Sequence, residues 1–250
     1  MGISDLSSTF TGIANAIRSK TGSSSAFTPA QMVTEIENIP TDKVATSYIG
    51  GNKYSGSTIT SYTGNEDLIL DYAFYRCISL STVSFPECEY IGYYAFYNCT
   101  NLINISFPEC SYIENYAFAS CTSLSTVSFP MCSYIGSNAF QRCTNLINIS
   151  FPECSYIGYY AFSGCTSLTN ISFPMCSYID NYAFQRCTSL SSLYLLSTSI
   201  VSLANSNAFD NTPLSAGGTG SIYVPSSLVT TYKTATNWSY ISNRITSYNG

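Results

Sequence analysis

The chain has no histidine among its 250 residues. That removes the commonest general base and with it the Ser-His and Cys-His nucleophilic schemes. Charge is scarce as well: Asp, Glu, Lys and Arg make up 9% of the sequence, against about 25% in an ordinary globular domain. Surface polarity must therefore come from Ser, Thr, Asn and Tyr, a composition that suits an exposed, protease-resistant surface protein better than a cytosolic enzyme. The formal net charge of −5 opposes a phosphate-tracking nucleic-acid binder. No apolar run approaches the ~20 residues that span a bilayer, so no membrane insertion is expected. Residues 1–20 lack an uninterrupted apolar h-region, which excludes a Sec signal peptide there and leaves export to another route. There is no C-x-x-C pair. Together with the absent imidazoles this leaves no ligand set for tetrahedral zinc, and no cofactor is expected.

What is present is periodic. Six Ala-Phe pairs, from Ala73-Phe74 to Ala183-Phe184, recur at a spacing of 22 residues. A fixed period of that size marks a solenoid, in which each unit buries its apolar side only against its neighbours. One unit reads Leu80-x-x-Val83-x-Phe85-Pro86-x-Cys88-x-x-Ile91-x-x-x-Ala95-Phe96-x-x-Cys99-x-x-Leu102. Val83 and Phe85, with their equivalents one period apart, form two inward columns of a short strand. The proline after each strand has no N–H for the ladder and stops it. The Ala-Phe half is too short for a long helix, and one helical or 3₁₀ turn is predicted. The fold class predicted is an α/β repeat: a leucine-rich-repeat solenoid with one parallel β-sheet, short helical turns and small helical caps at both ends.

The first half of the unit matches the leucine-rich template, with Cys88 in its Asn/Cys slot. The run Ile91-Gly92-Tyr93-Tyr94-Ala95-Phe96-Tyr97-Asn98-Cys99-Thr100-Asn101-Leu102 resembles the BspA-type leucine-rich repeat, whose hallmark is I-G-x-x-A-F-x-x-C-x-x-L. The resemblance implies adhesion, on bacterial surface and secreted proteins or phage-like gene products. It implies no catalytic site.

Four segments follow. Residues 1–41 read as a helical hairpin. Leu6, Phe10, Ile13 and Ile17 share one helical face, Thr28-Pro29 begins a second helix, and Met32 and Ile36 continue it. The phrase from Ile13 to Gly22 resembles N-terminal segments of phage tail-associated and prophage proteins. This hairpin is expected to dock the chain to a larger assembly or to mediate self-association. Residues 42–65 read as irregular connecting strands, 66–212 as the repeats, and 213–250 as a last strand and a helical cap running through Trp238, Ile241 and Ile245.

Candidate sites come from the columns. All 11 cysteines fall in two of them, expected as a reduced, buried thiol ladder acting as small apolar filler. Glu87 and Glu109 occupy one column on adjacent rungs, near the separation of a retaining glycosidase pair of about 5 Å, but Met131 follows them and the column converges on nothing. Glu114 and Asp180 replace the usual glycine after Ile and read as surface variation. Ser84, Ser106, Ser128 and Ser150 form an outward lattice of hydroxyls on the strand face. The positions that vary between repeats include Tyr75, Arg76, Tyr97, Asn98, Arg142 and Arg186, and ligand contact is expected there first. The resulting expectation is a non-enzymatic binding or adhesion module at an extracellular, cell or virion surface, with a surface protein or glycan as partner. A carbohydrate-active enzyme using rung-to-rung carboxylates and a structural spacer are the alternatives.

Overall fold

In each repeat the outward positions of a short strand are Thr, Asn or Ser, while Val or Ile and then Phe point inward. The pattern repeats because each turn of the coil meets an identical one above and below. The computed structural model describes residues 47–249. The hairpin read over 1–41 and the start of the connecting segment lie outside them.

Every strand pairing is parallel, and with the one exception of Asn148–Ser150 and Asn170–Ser172 the equivalent strands of successive rungs pair with each other. Eight two-residue strands form the longest sheet: β1 (Tyr48–Ile49), β3 (Leu68–Ile69), β5 (Tyr90–Ile91), β7 (Tyr112–Ile113), β9 (Tyr134–Ile135), β11 (Tyr156–Ile157), β13 (Tyr178–Ile179) and β15 (Ser202–Leu203). Five strands form a second: β2 (Ser61–Thr63), β4 (Thr82–Ser84), β6 (Asn104–Ser106), β8 (Thr126–Ser128) and β10 (Asn148–Ser150). A third holds β12 (Asn170–Ser172), β14 (Ser192–Tyr194), β16 (Ser221–Pro225) and β17 (Ile245–Tyr248). The parallel solenoid is as expected, but its strands lie in three sheets. The predicted strand column divides between β10 and β12, and the longest sheet is the Tyr-Ile ladder.

In the six 22-residue units the Ala-Phe segment is a chain of tight turns with no helix in it, whereas the last pair, Ala208-Phe209, lies in a 3₁₀ helix over Ser206–Phe209 as predicted. Tyr97 N–H donates to Tyr94 O (3.1 Å) and Cys99 N–H to Phe96 O (3.2 Å), while the intervening Phe96 N–H donates to Ala117 O on the next rung (2.7 Å). Alternate amides thus bond locally and across rungs, so this side is also tied together without being a regular strand.

Two phenylalanine stacks fill the interior. Phe96 lies on Phe118 at 5.1 Å and 3°, and Phe107 lies on Phe129 at 5.3 Å and 5°. The stacks meet edge to face, as at Phe118 and Phe129, an arrangement the ring quadrupole favours. All 11 cysteines are free and buried. One column sends its Sγ–H back to the previous rung, as from Cys143 to Phe118 O at 3.2 Å. The other bonds two residues ahead, as from Cys132 to Tyr134 O at 3.3 Å.

At the C-terminal end, side chains close the last edge of the eight-stranded sheet. Trp238 Nε1–H donates to Val201 O (2.8 Å), Val201 N–H to Tyr232 Oη (2.9 Å), and Asn237 Nδ2–H to Leu203 O (2.8 Å). An open edge of unpaired peptide groups is thereby satisfied. Tyr232 sits on the helix α1 (Val229–Thr234). Ile245 does not extend a helix. It opens β17, which adds a strand beside β16.

Candidate functional site

The variable turn of each rung places a residue in the left-handed region. Arg76 (φ 57°), Asn98 (58°), Ser120 (63°), Arg142 (60°), Gly164 (77°) and Arg186 (60°) occupy equivalent positions. Glycine and asparagine suit that backbone, whereas arginine costs about 1–2 kcal/mol there. Arg76, Arg142 and Arg186 are nevertheless present, and all three are exposed. Gly164, between Arg142 and Arg186, leaves the stem of Arg142 lying over bare backbone: a Cβ there would sit 3.6 Å from Arg142 Cγ.

Tyrosines flank this ridge. Tyr75 stacks on Tyr97 at 5.3 Å and 12°, and Tyr94 on Tyr116 at 4.7 Å and 7°. The stacks turn ring faces toward each other. Tyr75, Arg76, Tyr97 and Asn98 are therefore neighbours on adjacent rungs, and Arg142 and Arg186 extend the same ridge along the axis. Ser84, Ser106, Ser128 and Ser150 lie elsewhere, on the strands of the five-stranded sheet. Ser128 is half-buried and the other three are exposed.

Glu87 and Glu109 are exposed on the turn after the strand, in a column continued by the exposed Met131 and Met175. Nothing encloses these carboxylates from water, as an acid held protonated for glycosidic cleavage requires. Glu114 departs from the surface position expected of it. It is 9% exposed, and burial together with its carboxylate raises the phenol of Tyr90 well above the ordinary range. Asp180 accepts from Tyr156 Oη at 3.2 Å and from Asn181 N–H at 2.7 Å. Both carboxylates thus anchor the tyrosine ladder. Gly136, one rung past Glu114, has no room for a side chain, because a Cβ would lie 2.7 Å from the Glu114 carbonyl carbon.

Burial pushes the thiols of Cys88, Cys132, Cys143 and Cys176 up to about 12. They are protonated, unreactive filler at neutral pH. Among the described residues no cluster of His, Cys, Asp or Glu is placed to hold a metal ion, and no helix is long and apolar enough to cross a membrane.

The residue before each strand was absent from the sequence reading. Ser81, Ile103, Ser125 and Ile147 succeed one another up the coil and line a shallow groove with Asn101, Ser123 and Asn145. Ile103 and Ile147 are 46% and 49% exposed. The signal was there to find, as a doubling of the period: Leu-Ser-Thr-Val-Ser-Phe alternates with Leu-Ile-Asn-Ile-Ser-Phe from Leu80 to Phe151.

A family model described as the BspA-type leucine-rich repeat region matches residues 47–153 and 111–241. The chain belongs to the BspA-type leucine-rich repeat family. The match covers most of the solenoid and includes none of residues 1–46, so the likeness of that segment to phage tail-associated proteins has no support from it. Among solved structures, a leucine-rich repeat protein from Bacteroides ovatus is 22% identical with a TM-score of 0.56, covering 81% of this chain and 58% of that one. One from Eubacterium ventriosum is 19% identical with a TM-score of 0.57, covering 67% and 46%. Both show the same fold. This chain spans less than two thirds of either protein's length. No curated protein matches the chain.

Proposed function

We propose that this BspA-type solenoid is a non-enzymatic attachment module at a cell or particle surface, and that the arginine-bearing turn ridge is its contact surface. The observation that carries the reading is the backbone of Arg76, Arg142 and Arg186. The same column takes Asn98, Ser120 and Gly164 on the other rungs, yet three rungs hold Arg there at a local cost, and each of the three is exposed. Strain retained at an exposed, variable position points to function. Arginine also supplies the planar fork that pairs with carboxylate, sulfate or phosphate. The partner is thus a surface protein or glycan carrying acidic groups. The segment 1–41 docks the chain to a larger assembly.

The test is to screen the intact chain on arrays of glycans and extracellular proteins. Salt-sensitive retention of acidic ligands is expected. A chain that binds nothing on either array is the structural spacer. Deleting residues 1–41 should leave the repeats folded and impair assembly in light scattering; normal assembly would remove the docking role.

A further inference from the structure

We propose that the groove beside the five-stranded sheet is a second binding site, for a neutral, extended β-1,4-linked polysaccharide running along the solenoid axis. Its lining shares no residue with the arginine ridge, although Asn101, Ser123 and Asn145 follow Asn98, Ser120 and Arg142 by three positions.

Three observations carry it. The groove is lined without a single charge: Ser81, Asn101, Ile103, Ser123, Ser125, Asn145 and Ile147. Its apolar members alternate with hydroxyls, since Ile103 and Ile147 sit two rungs apart with Ser125 between them. The backbone ladder fixes that spacing: Ser125 N–H donates to Ile103 O (2.8 Å) and Ile147 N–H to Ser125 O (3.0 Å). Two rungs measure about 10 Å, twice the ~4.8 Å between strands. Finally, Ser125 Oγ–H is held by Asn104 Oδ1 at 3.0 Å, which fixes the polar member between the two apolar ones.

A β-1,4-linked chain has the matching symmetry. Each pyranose is turned half a revolution from the last, so one face recurs at every second sugar, a span close to two rungs. Its ring C–H faces are apolar and its edges carry hydroxyls, which suits isoleucine platforms flanked by serine and asparagine. The lack of charge disfavours an acidic polymer. A protein partner is disfavoured because stable interfaces bury about 800 Å² per side around aromatic or arginine anchors, and this groove has neither. An α-1,4-linked chain coils and cannot lie along a straight axis.

The experiment compares the full-length protein with an Ile103→Ser/Ile147→Ser variant for retention on microcrystalline cellulose and chitin, with amylose resin as control. Both isoleucines are half exposed, so the melting temperature should be unchanged, which confirms folding. The wild type should be retained on at least one β-1,4 polymer and not on amylose, at 0.05 M and 0.5 M salt alike. The variant should lose about tenfold in affinity, equivalent to ~1.4 kcal/mol. Failure of the wild type to bind either β-1,4 polymer, or equal retention of the variant, would overturn the site. So would a shift in oligomeric state on removing the isoleucines without any polysaccharide binding, since the face would then be a contact between copies. An Arg76→Asn/Arg142→Asn/Arg186→Asn variant should bind these polymers like wild type, which separates this site from the ridge.

Discussion

Cys121 donates its Sγ–H to the carbonyl of Phe96, 3.1 Å away and 25 residues earlier. That carbonyl already accepts the N–H of Cys99 at 3.2 Å. Each thiol of this column therefore uses the second lone pair of a buried oxygen one rung back. The cysteines act as hydrogen-bonding filler and not as cross-links. Cys121→Ala should cost about 1–3 kcal/mol, combining a small cavity with a lost bond. Reductant should leave wild-type stability unchanged. Denaturant titration with and without reductant checks both, and a thiol titre in denaturant well below 11 would contradict the account.

Phe129→Ala removes the middle of a stack, between Phe107 and Phe151 at 5.3 Å on each side. A loss of about 3–5 kcal/mol is expected. A loss under about 1 kcal/mol would mean that the neighbouring rings collapse into the space.

Stability should fall in alkali. Buried thiols such as those of Cys77 and Cys143 titrate above their unfolded value of about 8.5, at about 11 and about 12. A pKa raised in the folded state gives stability that is complete below the unfolded pKa and is lost as pH rises. Between pH 8.5 and 11 a fully buried thiol such as that of Cys143 should remove up to ~1.4 kcal/mol per pH unit. Melts at pH 7, 9 and 10 test this; a flat profile would show that the thiols ionise in place.

Arg142→Asn should stabilise the chain by about 0.5–1 kcal/mol, because asparagine adopts φ near 60° with less strain, while weakening ligand capture. A rise in melting temperature with unchanged capture would mean that Arg142 is not part of the contact surface.

The repeat period and its inward columns were legible in the sequence because Val83, Phe85, Phe96 and Cys99 recur without interruption. The Tyr-Ile sheet was not, because a two-residue strand is too short to show alternation. Two left-handed columns were hidden, because Arg76, Arg142 and Arg186 in one and Tyr72, Tyr94, Tyr116, Tyr160 and Tyr182 in the other stand where glycine would have announced them. The burial of Glu114 was misread because a carboxylate replacing glycine looks like surface drift, and only the stacked tyrosines above and below show that it is enclosed. Ile245 was drawn into a helix by its spacing from Trp238 and Ile241, whereas the open edge of β16 claims it for a strand.

The arginine ridge is proposed as the attachment surface. Its most direct test is affinity for the acidic array ligand captured best, measured for wild type and for Arg76→Asn/Arg142→Asn/Arg186→Asn. The variant should lose at least about tenfold in affinity, with the wild-type affinity falling as salt rises and the variant melting no lower than wild type. Equal affinity in a folded variant would contradict it.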